Sequence, residues 1–146
     1  MMNSEIAVGM AMPSRTFTIE LWPMKVFTLI MDDPNPIHFD PQFVRQLGRG
    51  DKAINQGTLN IAYPLNVLFE WLGGSNPSST LVSFSCRFAS SVYEDDEVTV
   101  GGEVASVNDD GTASITLWLD RQNGDRALSG VAVVLLEGTP QVRRDV

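Results

Sequence analysis

Asp33-Pro34-Asn35-Pro36-Ile37-His38 places a carboxylate and the chain's single imidazole five positions apart, with two prolines between them. Carboxylates and imidazoles are common proton acceptors and donors in catalysis, so the pair suits general acid–base work on a bound water. Each proline pushes the residue before it towards extended geometry, which keeps Asp33 and Asn35 out of a helix and stiffens the segment. A stiff segment fixes orientation before substrate arrives. The spacing alone is equally compatible with a plain connection in which Asp33 caps and His38 is a satisfied structural histidine. One histidine among scattered carboxylates does not make a metal ligand set.

The elements that must position this segment are helical on either side of it. Leu21 to Ile30 is apolar, with Pro23 near its start, and reads as a short helix. Pro41 to Leu47 reads as another, with Asp40 as N-cap and Pro41 at the first helical position. The longest runs from about Thr58 to Leu72, with apolar residues around most of its circumference, as a buried helix requires. Gly73-Gly74 ends it, and Pro64 bends it.

The second half alternates apolar and polar residues with period two over Thr80–Ala89, Glu97–Val107 and Thr112–Asp120, the pattern of strands, and Ala127–Glu137 reads as another strand. Tyr93-Glu-Asp-Asp, Asn108-Asp-Asp-Gly and Gln122-Asn-Gly-Asp are the turns between them. Arg15–Glu20 is a further strand near the N-terminus. An apolar helix beside an antiparallel meander is best covered when the sheet wraps around it, so the expected fold is α+β of the hot-dog kind, with a generic α+β sandwich as the alternative.

Composition bounds the rest. The chain has 146 residues, enough for one domain with a real core, and its hydrophobic fraction of 43% excludes a disordered chain. The formal net charge is -8 and only 10 residues are Lys or Arg, scattered along the chain, which argues against nucleic acid but leaves an anionic ligand such as a CoA ester open. Cys86 is the only cysteine, so no intrachain disulfide forms, and its place in a strand pattern predicts a buried thiol. There is neither a signal-peptide pattern nor an apolar run of about 20 residues, so a soluble cytoplasmic protein is expected.

Asp32-Asp33-Pro34-Asn35-Pro36-Ile37-His38 resembles the Gly-Asp-x-Asn-Pro-hydrophobic-His motif of the MaoC-like (R)-specific enoyl-CoA hydratase and dehydratase family, also called hydratase 2. The resemblance continues through His38-Phe39-Asp40-Pro41. It resumes at Ala53-Ile54-Asn55-Gln56-Gly57-Thr58-Leu59, which is similar to the family's Ile-Ala-His-Gly-Met segment opening the central helix. Cys86-Arg87-Phe88 and Tyr93 to Val98 are similar to its Arg-Phe, Pro-Val and Gly-Asp-x-hydrophobic elements. The similarity runs in order from about residue 14 to 137 and makes residues 1–146 a single MaoC-like hot-dog domain.

The resemblance implies reversible hydration of trans-2-enoyl thioesters, carried by CoA or acyl-carrier protein, to (R)-3-hydroxyacyl thioesters. It assigns Asp33 and His38 the activation of water, and Gly57 a backbone N–H for the thioester oxygen. Asn35 is expected to orient the loop or the His38 ring, and Gln56, where the family has histidine, to stand at the substrate. Neither a metal nor a redox cofactor is called for. Two carboxylates stand side by side because Asp32 replaces the family's glycine. A hot-dog acyl-CoA thioesterase and a non-catalytic acyl-binding partner subunit remain alternatives. An open sheet edge implies a homodimer, or a heterodimer with a related hot-dog chain.

Overall fold

A computed structural model describes residues 6–73 and 81–136 of the chain. Five antiparallel strands form one sheet: β1 (Ala11–Thr18), β2 (Leu81–Phe88), β3 (Glu97–Val107), β4 (Thr112–Arg121) and β5 (Arg126–Leu135), in the order β1-β3-β4-β5-β2. Three helices, α1 (Leu21–Ile30), α2 (Pro41–Gln46) and α3 (Gly57–Leu72), lie between β1 and β2 in sequence.

The sheet is built from local pattern. Along β4 every second residue is buried, and Ala113, Ile115, Leu117 and Leu119 have no exposed surface. Their side chains point to one face because successive strand residues alternate sides. Val98, Val100 and Val104 of β3 and Leu128, Ala132 and Val134 of β5 continue that face. Helix α3 packs on β1, β3 and β4 through Val67, Leu68, Trp71 and Leu72. The expected α+β arrangement of the hot-dog kind is what forms, and Thr58, Asn66 and Glu70 are left on the helix's open side. Gly73 ends the helix in left-handed geometry, φ 68°.

Two expectations are corrected. The first strand is Ala11–Thr18 and not Arg15–Glu20: β1 is exposed over most of its length, so pairing with β3, from Ala11 opposite Glu103 to Thr18 opposite Glu97, defines it more than any alternation. Cys86 is half-buried and not buried, because β2 lies at an edge of the sheet, with β5 its single neighbour among the described residues; the burial it has raises its thiol pKa. The sequence also marks Gly73–Ser79 as a loop-rich rim and Gly138–Val146 as a loose tail; of these only Gly73 is among the described residues. No helix among the described residues is long and apolar enough to cross a membrane.

The loop joining β2 to β3 is clamped to the far end of the sheet. Asp96 accepts hydrogen bonds from Arg121 Nε at 2.8 Å, Gln122 Nε2 at 2.8 Å and the Tyr93 amide at 2.8 Å. Burial opposes ionisation of Asp96. The bonds from Arg121, Gln122 and Tyr93, with the Arg121 charge, outweigh it and hold the carboxyl below its ordinary range. A carboxyl whose folded pKa is depressed stabilises the fold above its unfolded pKa, about 4, and stops doing so as pH falls through the folded value. Asp96→Asn is therefore expected to cost about 2 kcal/mol at pH 7 and to flatten the fall in melting temperature between pH 5 and 3. Thermal scans across that range check it; an unchanged acid slope would remove Asp96 from the account.

Candidate active site

The segment between α1 and α2 is held at both ends. The Asp33 amide donates to the Thr28 carbonyl at 3.0 Å, which ties it to the last turns of α1. Asp40 accepts from the amides of Gln42 at 2.9 Å and Phe43 at 3.3 Å, capping α2 as expected. Pro36–His38 forms a single 3-10 turn, and Asn35 caps it by accepting from the Ile37 amide at 3.3 Å. Asn35 thus holds the loop and makes no bond to the His38 ring.

Within this frame His38 Nε2 lies 3.3 Å from Asp33 Oδ2. The other carboxylate oxygen, Oδ1, accepts from the Asn35 amide at 3.2 Å. His38 Nδ1 is 2.6 Å from the Ile54 carbonyl oxygen, so Nδ1 carries a proton and donates it there. That leaves Nε2, facing Asp33, as the nitrogen that exchanges protons. The His38 side chain is 10% exposed and that of Asp33 40%, so the imidazole is enclosed while the carboxylate can be reached.

The Ile54 carbonyl is a site group that no side-chain pattern could reveal. It is held by main-chain bonds: the Ile54 amide donates to the Ile37 carbonyl at 2.8 Å, and Ile54 forms a β-bridge with Tyr93. The Asn55 amide donates to the Val92 carbonyl at 2.8 Å. The clamped β2–β3 loop therefore fixes 54–55, which fix His38.

Two residues further on, Gly57 begins α3, where first-turn amides have no partner within the helix. The N-cap residue Gln56 makes no capping bond to them. The expectation that the Gln56 side chain meets substrate is corrected. It is 2% exposed, and its Nε2 donates to the Met24 carbonyl at 2.9 Å and Thr28 Oγ1 at 3.2 Å, so it braces α3 against α1. A Cβ on Gly57 would stand 3.2 Å from Phe88 Cζ, so a side chain there would press on the tip of the Phe88 ring. Beside it opens a cavity of about 310 Å³, lined by Ile54, Asn55, Gly57, Asn60, Phe88 and Ser90 among others. Asp33 and His38 are outside this lining; Ile54 joins the two places.

Asp32 has φ 48°, a left-handed conformation. This accounts for the departure from glycine, since aspartate is one of the few residues with a side chain that tolerates the region. Asp32→Gly is expected to change stability by less than about 1 kcal/mol, and Asp32→Val to cost about 1–2 kcal/mol. Chemical denaturation checks both; equal stability of the two variants would show that the backbone does not constrain the position.

Residues 7–117 match the family described as MaoC like domain. The (R)-specific enoyl-CoA hydratase of Aeromonas caviae is 32% identical over 111 residues, covering 75% of this chain and 81% of that protein. The solved (R)-hydratase of A. caviae involved in PHA biosynthesis superposes with a TM-score of 0.83 at 28% identity, over 91% of this chain and 98% of that one. A chain of the ChsH1-ChsH2 complex from Mycobacterium tuberculosis shares the fold, with a TM-score of 0.78 at 19% identity over 90% and 98%.

Proposed function

The chain belongs to the MaoC-like domain family, and from that premise we propose that it hydrates trans-2-enoyl thioesters to (R)-3-hydroxyacyl thioesters, or runs the reverse dehydration. The observation that carries the reading is the pairing of His38 Nε2 with Asp33 Oδ2 at 3.3 Å while Ile54 holds the opposite ring nitrogen. A water bound at this pair meets a base and an acid at once. Asp33 takes a proton from the water as its oxygen attacks Cβ, and His38 Nε2–H gives a proton to Cα. The proton on Asp33 then passes to Nε2 across the short gap, which restores both groups.

The charge that builds on the thioester oxygen during attack needs a donor. The Gly57 amide and the positive end of α3 supply it in this reading, and the missing side chain lets the carbonyl approach. Asn35 and Gln56 act on the frame: one caps the turn that carries His38, the other braces the helix that carries Gly57.

Among the described residues the sheet has two edges, β1 and β2. Val82, Phe88 and Val131 are exposed on β2 and its neighbour β5. Pairing there with a second copy, or with a related hot-dog chain, would cover that edge. The carrier of the acyl group is CoA or acyl-carrier protein.

The test is the purified protein with crotonyl-CoA. Loss of the enoyl absorbance with formation of the (R)-3-hydroxy product is expected. Release of free thiol and crotonate, with no 3-hydroxyacyl thioester formed, would assign a thioesterase instead.

A further inference from the structure

Two residues that line the cavity beside Gly57 carry buried polar atoms without a hydrogen-bond partner. Asn55 is 3% exposed; its Nδ2 donates to Asn60 Oδ1 at 2.7 Å, but its Oδ1 is buried without a hydrogen-bond partner. Ser90 Oγ, on the opposite side in sequence, is likewise buried and unpartnered, and both residues line the cavity. An unanswered buried acceptor is destabilising, so its presence calls for a reason. Holding the loop is not that reason, because Nδ2 and the Asn55 amide already do so. Nor is the family pattern: the similar segment reads Ile-Ala-His-Gly, with alanine where this chain has Asn55.

We infer that this recess is a polar subsite for a hydrogen-bond-donating group, an amide N–H or a hydroxyl, on the thioester substrate; the inference rests on the reading of Gly57 as the carbonyl-binding amide. Reach defines the group further. Gln56 is extended, φ -61° and ψ 141°, so Asn55 and Gly57 stand at most about 7 Å apart. With the thioester oxygen at the Gly57 amide, a donor about five bonds away falls beside Asn55. Two parts of such a substrate place one there: an amide two carbons beyond the sulfur, and a hydroxyl on C4 of the acyl chain.

The test compares wild type, Asn55→Ala and Ser90→Ala on three thioesters: crotonyl N-acetylcysteamine, which carries the amide; crotonyl propanethiol, which carries neither donor; and 4-hydroxycrotonyl propanethiol. Wild type is expected to prefer one donor-bearing ester over the plain one by about tenfold in kcat/KM, and the variants to cut that preference to about twofold. The preferred ester identifies the source of the donor. Ser90→Ala is expected to melt no lower than wild type, since it removes an unanswered group, and it carries the test if Asn55→Ala fails to fold. Wild type without preference, or variants that keep it, overturns the subsite. If wild type hydrates none of the esters, the hydratase reading fails separately. The subsite is then decided by the same comparison of affinities for the saturated butyryl and 4-hydroxybutyryl thioesters, measured by NMR titration.

Discussion

Asp33→Asn is expected to lower kcat for enoyl-thioester hydration by about 10³-fold while KM stays within about twofold. The amide keeps an oxygen to accept from the Asn35 amide, a bond of 3.2 Å, so the loop survives while the base is lost. His38→Ala should cost as much, and the double variant little more than either single one, because the two groups act on one water as a unit. Steady-state kinetics on crotonyl-CoA, with circular dichroism to verify folding, decides it. A folded Asp33→Asn protein within tenfold of wild type would mean that the carboxylate is not the base.

Leu117→Ala is the substitution expected to cost most in stability. Leu117 is fully buried at the middle of β4, opposite Gly102 on one side and Gly130 on the other. Its Cδ2 lies 2.8 Å from where a Cβ on Gly102 would stand, so it fills room that the glycine vacates. Truncation leaves a hole that its flanking glycines cannot close, which places the cost near the upper part of the usual range, about 4 kcal/mol. For a domain of this size that is a drop of about 10 °C in melting temperature. Activity per folded molecule at low temperature should persist, since the Asp33–His38 segment is secured by α1, Asn35 and Ile54. A melting temperature within 2 °C of wild type would refute the packing argument.

Much of this architecture is legible in the chain. Helix α1 runs from Leu21 to Ile30 as its apolar run and Pro23 suggest, and Asp40 caps α2 through the bonds its side chain is built to make. Strand β4 follows its period-two pattern because one face must meet the core, whereas β2 shifts register between Leu81 and Ser83 and leaves Val82 and Phe88 exposed. The start of β1 escapes this reading, since a mostly exposed strand carries no alternation and exists through its partner. Of the candidate site, Asp33, His38 and Gly57 are singled out by residue type and motif. The direction of the Gln56 side chain is not: it depends on where α1 presents the Met24 carbonyl, 32 positions away. The Ile54 carbonyl is invisible in the same way, because every residue has one.

That last property carries a consequence for how this molecule tolerates change. The imidazole is anchored by an oxygen that the genetic code cannot delete, so drift at position 54 among residues of similar bulk leaves the anchor in place. What can dislodge it is a shift of the strand-like segment that bears it, for instance by a proline at 54, which would abolish the amide bond to Ile37. The vulnerability of the histidine is thus displaced from its immediate neighbour's identity to the path of the backbone.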